Sequence, residues 1–125
     1  MVERINYATL PQIVGPYVHA TKHDKTLYVS GLTAFGTPSQ SEGLPEQCSQ
    51  ILSQISSILE SEQRRKQDII KLTIFVRDIS LLATIREQLF EFYEGFLPAC
   101  SLVEVSKLIH PDLLIEIEAV IALVD

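Results

Sequence analysis

Leu113-Leu114-Ile115-Glu116-Ile117-Glu118-Ala119-Val120-Ile121-Ala122-Leu123 is the stretch that decides how the chain is read. Leu113, Ile115, Ile117, Ala119, Ile121 and Leu123 fall on one side of an extended backbone. Leu114, Glu116, Glu118, Val120 and Ala122 fall on the other. A period of two is that of a strand, so one side meets a core while the other carries two carboxylates about 6.5–7 Å apart. Working outward, further strands are expected at Tyr17–Thr21 and Leu27–Gly31, paired as a hairpin around His23-Asp24-Lys25. Ile69–Arg77 places Ile70, Leu72, Ile74 and Val76 on one face and Ile69 and Phe75 on the other, and Ser101–Ser106 is expected as one more strand.

Two segments have the helical period instead. From Pro45 onward, Cys48, Ile51, Leu52, Ile55, Ile58 and Leu59 form a single apolar stripe, and Pro45 suits a first turn, where its missing N–H is not needed. A second helix is expected from Ser80 as N-cap, with Leu82, Ile85, Leu89, Phe92 and Phe96 on one side and Gly95 and Pro98 closing it. Gly36 to Gly43 reads as a surface loop. The order is β-β-α-β-α-β-β. That predicts one α+β domain over residues 1–125, a mixed sheet with both helices on one face. Ile69, Phe75 and the two-sided apolar strand Leu27–Gly31 leave the second face greasy, so other copies of the chain are expected to cover it.

Composition narrows the class. At 125 residues there is no room for a second domain, and 46% hydrophobic with 21% charged residues is ordinary for a globular chain. A net charge of −6 opposes binding to nucleic acid. The single basic cluster, Arg64-Arg65-Lys66, is flanked by Glu60, Glu62 and Asp68 and reads as a solvated helix end. Two cysteines make no disulfide framework, and no run approaches the roughly 20 apolar residues that span a bilayer. The expectation is a cytoplasmic protein without membrane association. No His and carboxylate pair has metal-ligand spacing, so neither a metal nor a cofactor is expected.

Four segments carry the chemistry: Ile13-Val14-Gly15-Pro16-Tyr17, Leu27-Tyr28-Val29-Ser30-Gly31, Asp68–Asp78, and Leu97-Pro98-Ala99-Cys100-Ser101-Leu102-Val103-Glu104-Val105 followed by Ile115-Glu116-Ile117-Glu118-Ala119. In this order and spacing the chain resembles the RidA/YjgF family of reactive intermediate/imine deaminases. The resemblance implies a chorismate-mutase-like fold, a homotrimer, and a small-molecule cleft between subunits in which imines or enamines are hydrolysed. It gives Glu116 and Tyr17 catalytic positions, Glu116 as the holder of the attacking water, and it makes Ser30, Gly31, Cys100 and Ser101 pocket residues.

The departure from the family pattern lies at Pro98-Ala99-Cys100-Ser101. Members that act on 2-imino acids have Pro-Ala-Arg-Ser there, the Arg gripping the substrate carboxylate with a fork of donors. Losing that contact costs about 1.5–3 kcal/mol, roughly ten- to a hundredfold in rate. The expectation is an imine, enamine or related C=N substrate other than the usual 2-imino acid, or else a non-catalytic trimer that binds a small metabolite. Arg86, on the second helix where many members have Asn, is the candidate replacement cation, against the plain reading of a solvent-facing Arg. Cys100 reads as a small filler, or as a nucleophile if a thiolate formed there. His19 is expected on the strand face of Tyr17, lining the cleft. A ribonuclease reading is opposed by the acidic charge and by the lack of a His acid/base pair.

Overall fold

The computed structural model describes residues 1–125. Its elements run β1 (Glu3–Ile5), β2 (Ala20–His23), β3 (Thr26–Leu32), α1 (Leu44–Ser61), β4 (Ile69–Val76), α2 (Leu82–Tyr93), β5 (Ala99–Glu104) and β6 (Ile115–Ala122). The strands form one sheet ordered β1-β2-β3-β6-β4-β5, and only the β4–β5 pair is parallel. Parallel pairing follows from the connection, because α2 carries the chain back across the sheet between those strands. β1 adds one strand to the expected order. It has three edge residues, too few to show an alternation.

Both helices lie on one face of the sheet. Leu113, Ile115, Ile117, Ala119 and Ile121 are buried as their alternation requires, against Leu72 and Ile74 of β4 and the Ile51, Ile55 and Ile58 stripe of α1. Gln47 is also fully buried in α1. Its amide donates to the carbonyls of Gln40, Glu42 and Asp112 and accepts from Leu114 N at 2.9 Å, which fastens the loop before α1 to the strand that carries Glu116. No helix is long and apolar enough to cross a membrane.

Several local expectations are corrected. Ile69, not Ile70, faces the core. Ile69 pairs with Ile121 and Lys71 with Val120, so β4 holds one extra residue in a bulge that turns Ile70 outward, 47% exposed. α2 starts after a 3₁₀ turn at Ile79–Leu81 whose cap is Asp78, which accepts from Ser80 N at 3.0 Å; Ser80 is a donor there and not the cap. Phe96 leaves the apolar stripe because the helix ends at Tyr93, and Glu94 and Gly95 take left-handed φ of 53° and 92°. Tyr93 is buried instead. The Gly36–Gly43 loop includes a 3₁₀ turn, Pro38–Ser41, capped by Thr37. The basic cluster lies beyond α1, and Arg64 is paired with Asp68 at 2.9 Å and Asp125 at 2.8 Å.

The sheet's other face carries Tyr28, Ile70 and Val103 exposed, with Phe75 and Val120 half-buried beside them. Such a patch is larger than scattered surface apolar residues require.

Candidate functional site

Glu116 stands on this open face, between Ile115 and Ile117, which point into the core. The neighbouring β3 carries a bulge: Val29 pairs with Ala119 and Leu32 with Ile117, so Ser30 and Gly31 together occupy the space of one residue. Gly31 lies directly over the Glu116 side chain. A Cβ placed on Gly31 would meet the carboxyl group, 2.8 Å from its Cδ. Gly31 does not have a left-handed φ, so what the glycine supplies here is space beside a carboxylate. Burial, and secondly the charge of Glu118, raise the Glu116 carboxyl above the ordinary glutamate range. The two acids flagged by the alternation are thus distinct: Glu116 is half-buried, Glu118 exposed.

Tyr17 is brought near this corner by a bend, not by a strand. Residues 15–17 form the bend and β2 begins only at Ala20, which corrects the expected Tyr17–Thr21 strand. Tyr17 is 49% exposed and, with Gly31, Val14, Phe35 and Ile109, lines a small hollow of about 60 Å³. His19 lines this hollow too, and its ring is also held by the backbone around it. It is buried, 4% exposed; its Nδ1 accepts from Tyr7 N at 2.8 Å and its Nε2 donates to Pro11 O at 2.8 Å. Its own backbone N–H donates to Asn6 Oδ1 at 3.0 Å. The imidazole therefore clamps the incoming segment from which the Tyr17 bend departs. Asn6 and Tyr7 had no signal in the sequence, because the contact spans twelve residues without periodicity. Ser30 is similarly occupied: Oγ donates to Val18 O at 2.7 Å and its N–H to His19 O at 2.9 Å.

Cys100 and Ser101 lie elsewhere. β5 is an edge strand, with β4 between it and β6. Cys100 pairs with Leu72, whose side chain is buried on the helix side, so Cys100 faces α2. It borders a hollow of about 200 Å³ with Arg86, Leu89, Phe90 and Tyr93 of α2. Burial raises the Cys100 thiol, against a smaller opposing influence of Lys71; the group is a thiol and not a preformed thiolate. Arg86 is exposed at the mouth and forms no ion pair. Ser101 points to the open face, in a row with Thr73 and Glu118.

Within one chain the predicted residues form two groups on opposite faces of the sheet. Gly31 lies against Glu116 and also borders the Tyr17 hollow, which Glu116 does not line; Cys100 and Arg86 are gathered between β5 and α2. A sheet of six hydrogen-bonded strands cannot fold one group onto the other.

The fold is a single α+β domain whose mixed sheet carries a half-buried acid under a glycine on its uncovered face. The family profile described as Endoribonuclease L-PSP matches residues 8–123. The chain is 34% identical over 124 residues to a RutC family protein of Pyrococcus horikoshii, covering 96% of this chain and 97% of that one. It is 32% identical over 125 residues to the 2-iminobutanoate/2-iminopropanoate deaminase of Salmonella typhimurium, covering 96% and 97%. The crystal structure of RidA from an Antarctic Psychrobacter superposes with a TM-score of 0.86 at 28% identity, covering 96% of this chain and 98% of that one. The protein belongs to the RidA/YjgF family.

Proposed function

We propose that the protein hydrolyses an imine or enamine in a cleft completed by a second copy of the chain, with Glu116 as the general base. The observation that carries this reading is the Glu116 carboxyl, half-buried against Gly31 and raised above the ordinary glutamate range by burial. A base is most effective when its pKa lies near the working pH. Similarity to proteins named 2-iminobutanoate/2-iminopropanoate deaminase supports the reaction class.

In the proposed reaction an enamine takes a proton at carbon, or an imine takes one at nitrogen, to become the protonated imine, C=NH2⁺. Water beside Glu116 then adds to the imine carbon: the new O–C bond forms, the C=N π pair moves to nitrogen, and Glu116 takes the water's proton. Returned to nitrogen, that proton makes ammonia the leaving group; the C–N bond breaks as the carbinol oxygen loses its own proton and closes to C=O. The bare backbone at Gly31 leaves room for the substrate, and the Tyr17 ring walls the cleft.

Completion by a second copy, with three copies closing the ring, accounts for two features together. It covers Tyr28, Ile70 and Val103 on the open face. It also lets the Cys100–Arg86 edge of one protomer approach the Glu116 corner of the next, which one chain cannot do alone. Sedimentation giving a monomer at micromolar concentration removes the cleft and the proposal with it.

Cys100 at the position of the carboxylate-gripping Arg supports a second reading, a trimer that binds a small metabolite without turning it over. Freshly generated 2-iminopropanoate and 2-iminobutanoate separate the two. Turnover gained only by Cys100→Arg marks an intact scaffold that has abandoned carboxylated imines. Turnover by the native chain that Arg86→Ala abolishes marks a grip moved to α2. No turnover by either chain, on these or on uncharged imines, leaves the binding reading.

A further inference from the structure

Positive charge is concentrated at one place, where β4 ends. Four of the ten Lys and Arg side chains are ion-paired: Lys22, Arg64, Arg65 and Lys66. Among the rest, Arg77 and Lys107 come together with His110 around a hollow of about 280 Å³ that Leu108 and Pro111 complete. No acid lines it. The acids nearby are engaged elsewhere. Asp78 accepts from Ser80 N and Glu104 from Ile79 N, both at 3.0 Å. Asp112 Oδ2 stands 3.6 Å from His110 Nδ1 but does not line the hollow. Like charges held around one hollow repel, and an anion placed between them turns that repulsion into attraction.

The donors are held by the backbone around them. Arg77 directly follows β4; its N–H donates to Leu114 O at 3.1 Å and its Nη1 to Pro111 O at 3.2 Å. That fixes the guanidinium against the loop and leaves the rest of its fork for a ligand. His110 Nδ1 accepts from Asp112 N at 3.0 Å, so Nε2–H is the ring's remaining donor. Lys107 is exposed and, like Arg77, forms no ion pair. One carboxylate would be satisfied by the Arg fork alone. A fork, an ammonium and an imidazole N–H together suit an anion with three or more acceptor oxygens.

We infer that Arg77, Lys107 and His110 form a binding site for a phosphate group, free or carried on a small metabolite. Its occupant braces a wall of the neighbouring hollow. Ile109, between Lys107 and His110 in the chain, lines the Tyr17 hollow, and the His110 ring packs against Phe35, which lines it too, with centroids 5.8 Å apart. The same loop is tied to the approach to β6 by Leu113 N donating to His110 O at 3.0 Å. None of this depends on the hydrolysis of an imine.

The test titrates the intact, isotope-labelled protein with inorganic phosphate, methyl phosphate and acetate, reading the NMR signals of Arg77, His110, Ile109 and Phe35. Salt at about 0.15 M screens the long-range pull of scattered surface cations. Phosphate is expected to shift these signals saturably and to bind about tenfold or more tighter than acetate. Arg77→Gln and Lys107→Gln are each expected to weaken phosphate about tenfold, while Arg4→Gln, at an exposed arginine on β1, stays within about twofold. Acetate as tight as phosphate, no loss in either hollow variant, or an equal loss in Arg4→Gln overturns the inference. Should Arg77→Gln not fold, because Arg77 also holds Pro111, Lys107→Gln decides alone. Methyl phosphate within about threefold of inorganic phosphate marks an ester as the occupant; weaker methyl phosphate marks the free ion, and both uphold the site. Shifts at Arg77 with none at Ile109 and Phe35 refute the bracing. Phosphate binding without turnover of any imine sinks the catalytic proposal and leaves this site standing, and turnover without phosphate binding does the reverse.

Discussion

The Gly31–Glu116 corner and the Cys100–Tyr93 hollow lie on opposite faces of one sheet and are made of opposite materials. The corner has a half-buried carboxyl, a second acid one turn of the pleat away, and a glycine that keeps the space above it clear. The hollow has apolar walls, two protonated thiols nearby and one unpaired phenol. Chemistry that moves protons needs the first environment; the second offers apolar surface and a sealed phenol. A family resemblance strong over the whole chain can therefore coexist with a changed ligand, because each environment is built by different strands and can change without the other.

The sharpest break of this comparison is Glu116→Gln. Removing the general base is expected to lower turnover of any imine substrate by about 10²–10⁴-fold. Folding should respond in the opposite sense. The folded-state pKa of Glu116 is raised, so between the ordinary glutamate value and the raised one the folded chain holds more protons than the unfolded chain. Stability is full below that window and declines as pH climbs through it. Glu116→Gln should flatten this slope in melting temperature against pH, while the native rate rises with pH over the same window as the base ionises. A variant that keeps turnover within threefold removes Glu116 from the mechanism.

Gly31→Ala is next in size. The added methyl lands on the Glu116 carboxyl, the free end of a flexible side chain, so the carboxyl swings aside while the backbone stays as it is. The expected outcome is a rate loss of about 10–100-fold, as a displaced catalytic group implies, with a melting temperature within a few degrees of native. Loss of folding with no rate effect in the surviving protein would mean that the glycine serves the bulge alone.

The smallest effect is expected at Cys100. Its thiol is raised by burial, so iodoacetamide at neutral pH should modify it no faster than an ordinary free cysteine, and Cys48, deep in the core with its thiol pushed up to about 11, should resist in the folded protein. Rapid, selective alkylation of Cys100 traced by peptide mass would restore it as a nucleophile and merge the two regions into one reactive site.

Much of this was legible beforehand where a period was long enough to read. The eleven residues of Leu113–Leu123 and the stripe of α1 fix the core because alternation and helical spacing recur several times along them. β1 was not, since three edge residues carry no period. Period two alone assigns Ile70 to the core, because a bulge adds one residue without any mark in composition and the alternation inverts at each insertion. Tyr17 and His19 share a hollow but not a strand, since the chain is bent before β2 begins at Ala20, and the ring of His19 turns inward to hold Tyr7 and Pro11.

The sequence by itself determined the α+β order of the elements after β1, the buried rows of the final strand and of α1, the pair of acids on the final strand and the presence of Cys100 after Pro98-Ala99, all of which are local patterns of residue type. Only the tertiary structure decided which acid is half-buried, that Gly31 sits over it, that Cys100 faces α2 instead of that acid, and that the Tyr93 hydroxyl is left without a partner. These depend on which strands become neighbours, and strand pairing joins residues tens of positions apart through hydrogen bonds that any backbone can make.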